Sequence, residues 1–196
     1  MRLFVAIVPP SAVVAELDDR TARLRTDWPG LRWTGPQAWH VTLAFLGEVP
    51  EQLLPDLSVR LKRAAHRHPA QDLAVRRAGA FPGAARARVL WAGIAADPAP
   101  LRALAASVAA GARRAGAPPP DEGRRYRPHI TLARLREPAD LRPITTELAD
   151  LAGSRWTADR IDLIRSHPAG PGAGSRPRYE NLAHWPLEQP RRAAVP

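Results

Sequence analysis

The chain has 196 residues, a formal charge of +10, 45% hydrophobic residues and no cysteine. That length allows one compact domain or two small fused lobes with a sizeable core, and the missing cysteines exclude disulfides, thiolate chemistry and any zinc site that needs sulfur. Lys62 is the sole lysine among 29 basic residues; the excess charge attracts polyanions, RNA first among them, but arginine-, alanine- and proline-rich composition also follows from GC-rich coding and carries little weight alone.

Residues 2–8 read as a buried first strand. The apolar run is far shorter than the roughly 20 residues of a membrane span, Pro9-Pro10 stops it, and no small-residue cleavage site follows. Val13, Val14, Leu17, Leu24 and Trp28 recur near helical spacing, which predicts a helix over 11–28 ended by Pro29-Gly30. Strands are expected at 31–34 and 39–46, separated by Gly35-Pro36, then a helix at 50–68 with Leu53, Leu54, Leu57 and Leu61 on one side. Strands at 73–77 and 88–95 flank a Gly/Pro/Ala loop at 79–87. An alanine-rich helix at 98–115 is followed by a loop at 116–127 carrying Pro118-Pro119-Pro120 and Arg124-Arg125. A strand at 129–135, a short helix at 140–151, and strands at 156–166 and 179–187 around a Gly-rich loop at 168–177 complete the chain. Hairpin-like strand pairs mixed with helices imply an α+β fold, with the second half repeating the grammar of the first. No linker composition divides the chain, so residues 1–189 are read as a single bilobal domain and 190–196 as a flexible tail.

Two segments are nearly the same word: His40-Val41-Thr42-Leu43-Ala44-Phe45-Leu46 and His129-Ile130-Thr131-Leu132-Ala133-Arg134-Leu135. Side chains alternate across a strand, so each histidine shares a face with its threonine, roughly 6.6 Å along the strand. Val41, Leu43 and Phe45, like Ile130 and Leu132, are then expected to point into the core. Side by side, the two strands would surround one phosphoryl group with two imidazoles and two hydroxyls. Phosphodiester cleavage needs one group to take a proton from the nucleophile and another to protonate the leaving oxygen, with hydroxyls on the non-bridging oxygens. A lone His-x-Thr is most often a strand histidine bonded to backbone; two copies with the same continuation, 89 positions apart (129 minus 40), are much harder to dismiss. His66 and His68 read as solvated, His167 as the start of a loop, and His184 as packed in a late strand.

These motifs resemble the 2H phosphoesterase superfamily and, within it, the RNA 2′,3′-cyclic phosphodiesterases, also described as 2′-5′ RNA ligases. The similarity extends to Arg2–Ile7, to Trp39–Val49, to Gly79-Ala80-Phe81-Pro82 with Arg88–Ile94, to Arg127–Arg134, and to Ser175–Leu187 with Tyr179. The resemblance implies two pseudo-symmetric lobes, each an antiparallel sheet with outer helices, and an active groove between them. It implies metal-independent hydrolysis of RNA 2′,3′-cyclic phosphate ends to 2′-phosphate ends without a cofactor, with His40 as proton donor and His129 as proton acceptor. Thr42, Thr131 and Arg134 would hold the phosphate. Arg134 lies three positions after Thr131, so strict alternation puts it on the far face; only a strand end or bulge would bring it to the phosphate.

Tyr179, beside Arg176 and Arg178, is a candidate base or groove contact. Of the other aromatic candidates for stacking, Trp39 and Phe81 stay open, and Phe45 and Trp91 read as core residues. The expected partner is RNA or an oligonucleotide with a 2′,3′-cyclic phosphate end, acted on by a cytoplasmic monomer without membrane association. The competing reading is a non-catalytic RNA-end-binding module; two titrating groups favour catalysis, since a binder does not need them.

Overall fold

The computed structural model describes residues 1–119, 126–168 and 177–188. Pro120, Arg124 and Arg125 of the first long loop, Arg176 and most of the second, and the expected tail at 190–196 lie outside them.

The elements run β1 (Arg2–Ile7), α1 (Ser11–Asp27), β2 (Arg32–Trp33), β3 (Val41–Glu48), α2 (Leu54–Ala65), β4 (Gln71–Phe81), β5 (Ala87–Ala95), α3 (Pro98–Arg114), β6 (His129–Ala139), α4 (Arg142–Glu147), β7 (Ala152–Ala158), β8 (Arg160–His167) and β9 (Arg178–Pro186). They build two antiparallel sheets, ordered β3-β1-β8-β9 and β2-β6-β5-β4-β7. Without β2 the two match strand for strand. The motif strands β3 and β6 correspond, and β1 matches β5, β8 matches β4, and β9 matches β7. The expected α+β fold with two pseudo-symmetric lobes is therefore present.

The lobes are not the two halves of the chain. Both ends of the sequence, β1 with β3 and β8 with β9, make the first sheet, while the middle makes the second. The expected strand at 156–166 is really two strands in different sheets. β7 ends at Ala158 beside β4, Asp159 makes the crossing, and β8 begins at Arg160 beside β9 and β1. The inward positions shift by one residue at the crossing, from Trp156 and Ala158 to Ile161 and Leu163, but no glycine or proline marks it, so the run reads as one strand. β4 likewise runs through Gly79 to Phe81, where a loop was expected. A Cβ on Gly79 would lie 2.3 Å from the Trp91 ring. Glycine is there so that β5 can lay an indole over β4, and not to turn the chain. The helix expected at 140–151 is only the single stretch α4.

β1 is apolar from Leu3 to Ile7 because it is central. Leu3, Val5 and Ile7 join the main core, and Phe4 and Ala6 form a second cluster with Ile164 on the opposite face. The helices cover the outer faces: α2 and α3 pack on each other and against β9 and β3, while α1 and α4 pack against β7 and β4. The α2 stripe Leu57, Leu61, Ala64 and Ala65 is buried, and truncating Leu61 to Ala would cost roughly 2–5 kcal/mol. Asp97 caps α3 by accepting from the Ala99 amide at 3.1 Å. With the outer faces covered, the remaining sheet faces are left for a groove.

Candidate active site

The two motif strands touch across the lobes. His40 immediately precedes β3 and His129 opens β6. Thr42 pairs with Ala6 and Thr131 with Trp91, which places each threonine on the inner face of its sheet. Both are half-buried, and neither hydroxyl is engaged by another described residue.

Each motif strand then carries a bulge at the same place. In the first lobe Ala6 pairs with Thr42 but Val5 with Ala44, so Leu43 is the extra residue. In the second, Trp91 pairs with Thr131 but Leu90 with Ala133, so Leu132 is extra. A bulge of one residue reverses the facing of everything after it. Leu43 and Ala44 are consequently both buried, as are Leu132 and Ala133. Phe45, expected in the core, is 43% exposed, and its ring lies 6.1 Å from Phe4 on the histidine side. Arg134, which alternation puts on the far face, is turned by its bulge to the face of His129 and Thr131.

Aromatic rings seat both imidazoles. His40 lies 4.6 Å from the Phe4 ring and edge-on to Tyr179 at 5.4 Å, between centroids. His129 stands edge-on to Phe81 at 5.0 Å and 6.2 Å from Trp91. Trp91, expected as a core residue, is half-buried and belongs to this face; Gly79 beneath it makes the room. Trp39, in contrast, is a core residue at 3% exposure.

Each histidine also bonds to the backbone two residues before it, His40 to Ala38 and His129 to Arg127. The His129 bond joins Nδ1 to the Arg127 carbonyl oxygen at 2.7 Å. A carbonyl only accepts, so Nδ1 carries the hydrogen, and in the neutral ring Nε2 is left with a free lone pair.

The electrostatics follow from this packing. Burial pushes the His40 pKa down to about 4; the Ala38 bond opposes this, and positive charge at His129 and Arg134 adds to it. His129 is also lowered, by burial first and by Arg134, against the Arg127 bond. Arg134 therefore acts on both histidines. Across from it on β2 lies Arg32, its direct cross-strand partner. Two like charges face each other there, and neither guanidinium has a partner among the described residues, a placement that suits an anion.

The other histidines lie elsewhere. His66 is exposed, and His68 donates to or accepts from Ser107 Oγ at 2.7 Å, so it is bonded and not simply solvated. His167 ends β8 and pairs with Glu180 at 2.8 Å. His184, expected to pack, is exposed on β9, because its neighbour Trp185 takes the inward position at 8% exposure. No group of three or more His, Cys, Asp or Glu placed to hold a metal occurs among the described residues.

Pattern reading missed the ring partner Phe4 and the facing of Phe45, and left Phe81 only as an open stacking candidate. One signal for Phe45 was present: it stands five residues after His40, as Arg134 stands five after His129.

Residues 9–170 match the model of the 2′-5′ RNA ligase superfamily. A curated relative from Thermus thermophilus, named RNA 2′,3′-cyclic phosphodiesterase, is 33% identical over 87% of this chain and 85% of its own length. The solved structure of TT0787 from Thermus thermophilus superposes with a TM-score of 0.80 at 30% identity, covering 96% of this chain and 99% of that one. The structure of LigT from Escherichia coli complexed with 3′-AMP gives a TM-score of 0.69 at 28% identity, covering 95% and 97%.

Proposed function

This chain belongs to the 2′-5′ RNA ligase superfamily, and from that premise we propose that it hydrolyses RNA 2′,3′-cyclic phosphate ends to 2′-phosphate ends with His40 and His129 as its acid–base pair. The observation that carries the reading is that two equivalent strands present an imidazole, a hydroxyl and a bulge-turned fifth residue to one groove, with the charge of Arg134 reaching both imidazoles.

In the proposed reaction His129 Nε2 takes a proton from water as the water oxygen bonds to phosphorus. The bond from phosphorus to the 3′ oxygen breaks, and His40 gives that oxygen its proton. Thr42 and Thr131 donate to the non-bridging oxygens, where charge builds in the transition state. Arg134 adds a charge-assisted contact to the same phosphate. Phe45 offers an exposed ring on which the terminal base stacks, and Tyr179 walls the groove beside His40. A 5′-hydroxyl in place of water would give a 2′-5′ diester by the same bond changes. The proposal takes residues 1–189 as one unit acting as a monomer in the cytoplasm; among the described residues no helix is long and apolar enough to cross a membrane.

The test is incubation with a short RNA ending in a 2′,3′-cyclic phosphate. Conversion to a 2′-phosphate end is expected. Tight binding without turnover would instead favour an RNA-end-binding module, and a 3′-phosphate product would overturn the assignment of the leaving oxygen.

A further inference from the structure

Beside His129, at the end of β5, a cavity of about 490 Å³ opens against the first turn of α3 and the segment leading into β6. Three of its lining residues are the arginines Arg76, Arg102 and Arg127, and no carboxylate lines it. Two more are the aromatics Trp91 and Tyr126. The neighbouring cavity shares Arg76 but contains Asp72 and Asp97, so the purely cationic stretch ends there.

Two features tie the cavity to the groove. The Trp91 ring that walls it also stands 6.2 Å from His129. Arg127, which lines it, accepts from His129 Nδ1 through its carbonyl oxygen at 2.7 Å. A group bound there lies one side chain away from the reacting phosphate. The cations are available: neither Arg76 nor Arg127 is paired among the described residues, and Arg102 donates from Nε to the neutral Pro98 carbonyl at 2.8 Å. The Tyr126 hydroxyl, buried in the wall, has no partner among the described residues. Burial pushes its pKa up, so it stays a neutral donor.

We propose that this cavity is a subsite for the nucleotide on the 5′ side of the cyclic-phosphate end. Its phosphodiester sits among the three arginines, and its base or ribose lies against Trp91 and Tyr126. Cations on the backbone with aromatic faces beside them are how single strands are held without sequence preference. The consequence is a preference for RNA ends over cyclic mononucleotides. This subsite rests on the phosphodiesterase reading and deepens it.

The experiment compares kcat/KM for a 2′,3′-cyclic mononucleotide and for a trinucleotide with the same end, in the wild type and in an Arg76→Ala/Arg102→Ala double variant. The wild type should favour the trinucleotide by tenfold or more. The double variant should lose most of that preference while its mononucleotide rate stays within about twofold, and the slope of log affinity against log salt should shrink by about one for each phosphate no longer neutralised. A wild type with no preference overturns the subsite. So does a preference that survives the double variant, or one lost only in Arg32→Ala, which would route the strand over β2 instead. The retained mononucleotide rate certifies the fold, and Arg102→Gln, on an exposed helix position, is the milder substitute. If the wild type turns over neither substrate, the hydrolase reading fails separately. Fluorescence anisotropy with a trinucleotide ending in a 2′-phosphate then still decides the cavity, by a loss of affinity in the double variant or by its absence.

Discussion

Phe45 and Arg134 occupy the same place in the two lobes. Each stands five residues past its histidine, and each is turned to the groove by a bulge at the leucine after the threonine, Leu43 or Leu132. One lobe fills the position with an exposed aromatic ring and the other with a cation.

That asymmetry predicts separable defects. If Arg134 contacts the phosphate as proposed, Arg134→Ala removes a charge-assisted hydrogen bond, about 1.5–3 kcal/mol, so kcat/KM should drop about 10- to 150-fold. Arg134 also holds both histidine pKa values down. Its removal should therefore move the pH optimum of kcat/KM upward, which a merely structural arginine would not do. Phe45→Ala should raise KM with little change in kcat and leave the pH profile in place. Comparing pH profiles of the two variants checks this; identical profiles would remove Arg134 from the groove's electrostatics.

Much of this was legible in the sequence, for reasons that also mark where legibility stopped. The repeated motif singled out His40, His129, Thr42 and Thr131 as candidates sharing a strand face, because alternation is local and needs only a strand. Phe45, Arg134 and Trp91 depend on how neighbouring strands register, and a bulge is a property of the pair, not of one strand. The switch of sheets at Asp159 is hidden because no glycine or proline marks the crossing from β7 to β8. Gly79 reads as a loop residue until Trp91 is seen above it. The lobes themselves are discontinuous in sequence, so the similarity of the two halves pointed to the right symmetry through the wrong segments.

The pH dependence follows from two lowered imidazoles. Both imidazoles are held down in the free enzyme, His40 to about 4 and His129 by burial and by Arg134, so the pair loses the one proton it needs at lower pH than ordinary histidines would. Thus kcat/KM, which reports the free enzyme, should peak on the acid side of the ordinary imidazole range and fall as pH rises through that range. A bound phosphodiester anion stabilises imidazolium, so the alkaline limb of kcat should lie at higher pH than that of kcat/KM. Binding a non-hydrolysable phosphodiester at pH 7 should accordingly take up protons, measurable by calorimetry in buffers of different ionisation heat. Zero uptake together with an optimum above pH 7 would contradict the burial of both rings.

The threonine hydroxyls have no competing partner among the described residues. Thr42→Val and Thr131→Val keep shape and remove the donor, so each should raise the barrier by roughly 2–4 kcal/mol, the size found for oxyanion donors. The fold should be unaffected, as thermal melting would record. Normal turnover in both variants would leave the phosphate without its hydroxyl donors.

Turnover is expected to survive exhaustive chelation. In the proposed mechanism two imidazoles supply the proton transfers, and Thr42, Thr131 and Arg134 supply the charge stabilisation that a divalent ion would otherwise provide. Activity lost to a chelator and restored by a divalent ion would refute this.

The two histidines should be distinguishable despite the symmetry around them. His129 has its Nδ1 hydrogen fixed on Arg127 and a lowered pKa, so it enters the reaction as a neutral ring with Nε2 free, as a base requires. His40 is pushed down to about 4, so as an acid it must gain its proton when the anionic substrate arrives. Replacing either with Ala should abolish turnover of the natural substrate, yet a 2′-phosphorylated nucleotide should still bind through the threonines and Arg134. A diester whose leaving oxygen is already a weak base, such as p-nitrophenolate, needs no acid. It should restore turnover to His40→Ala and not to His129→Ala, because attack by water still needs a base. Rescue of His129→Ala instead would reverse the two roles. Near-normal turnover of the natural substrate by either single variant would end the two-histidine mechanism, since one remaining imidazole cannot both deprotonate water and already carry the proton for the leaving 3′ oxygen.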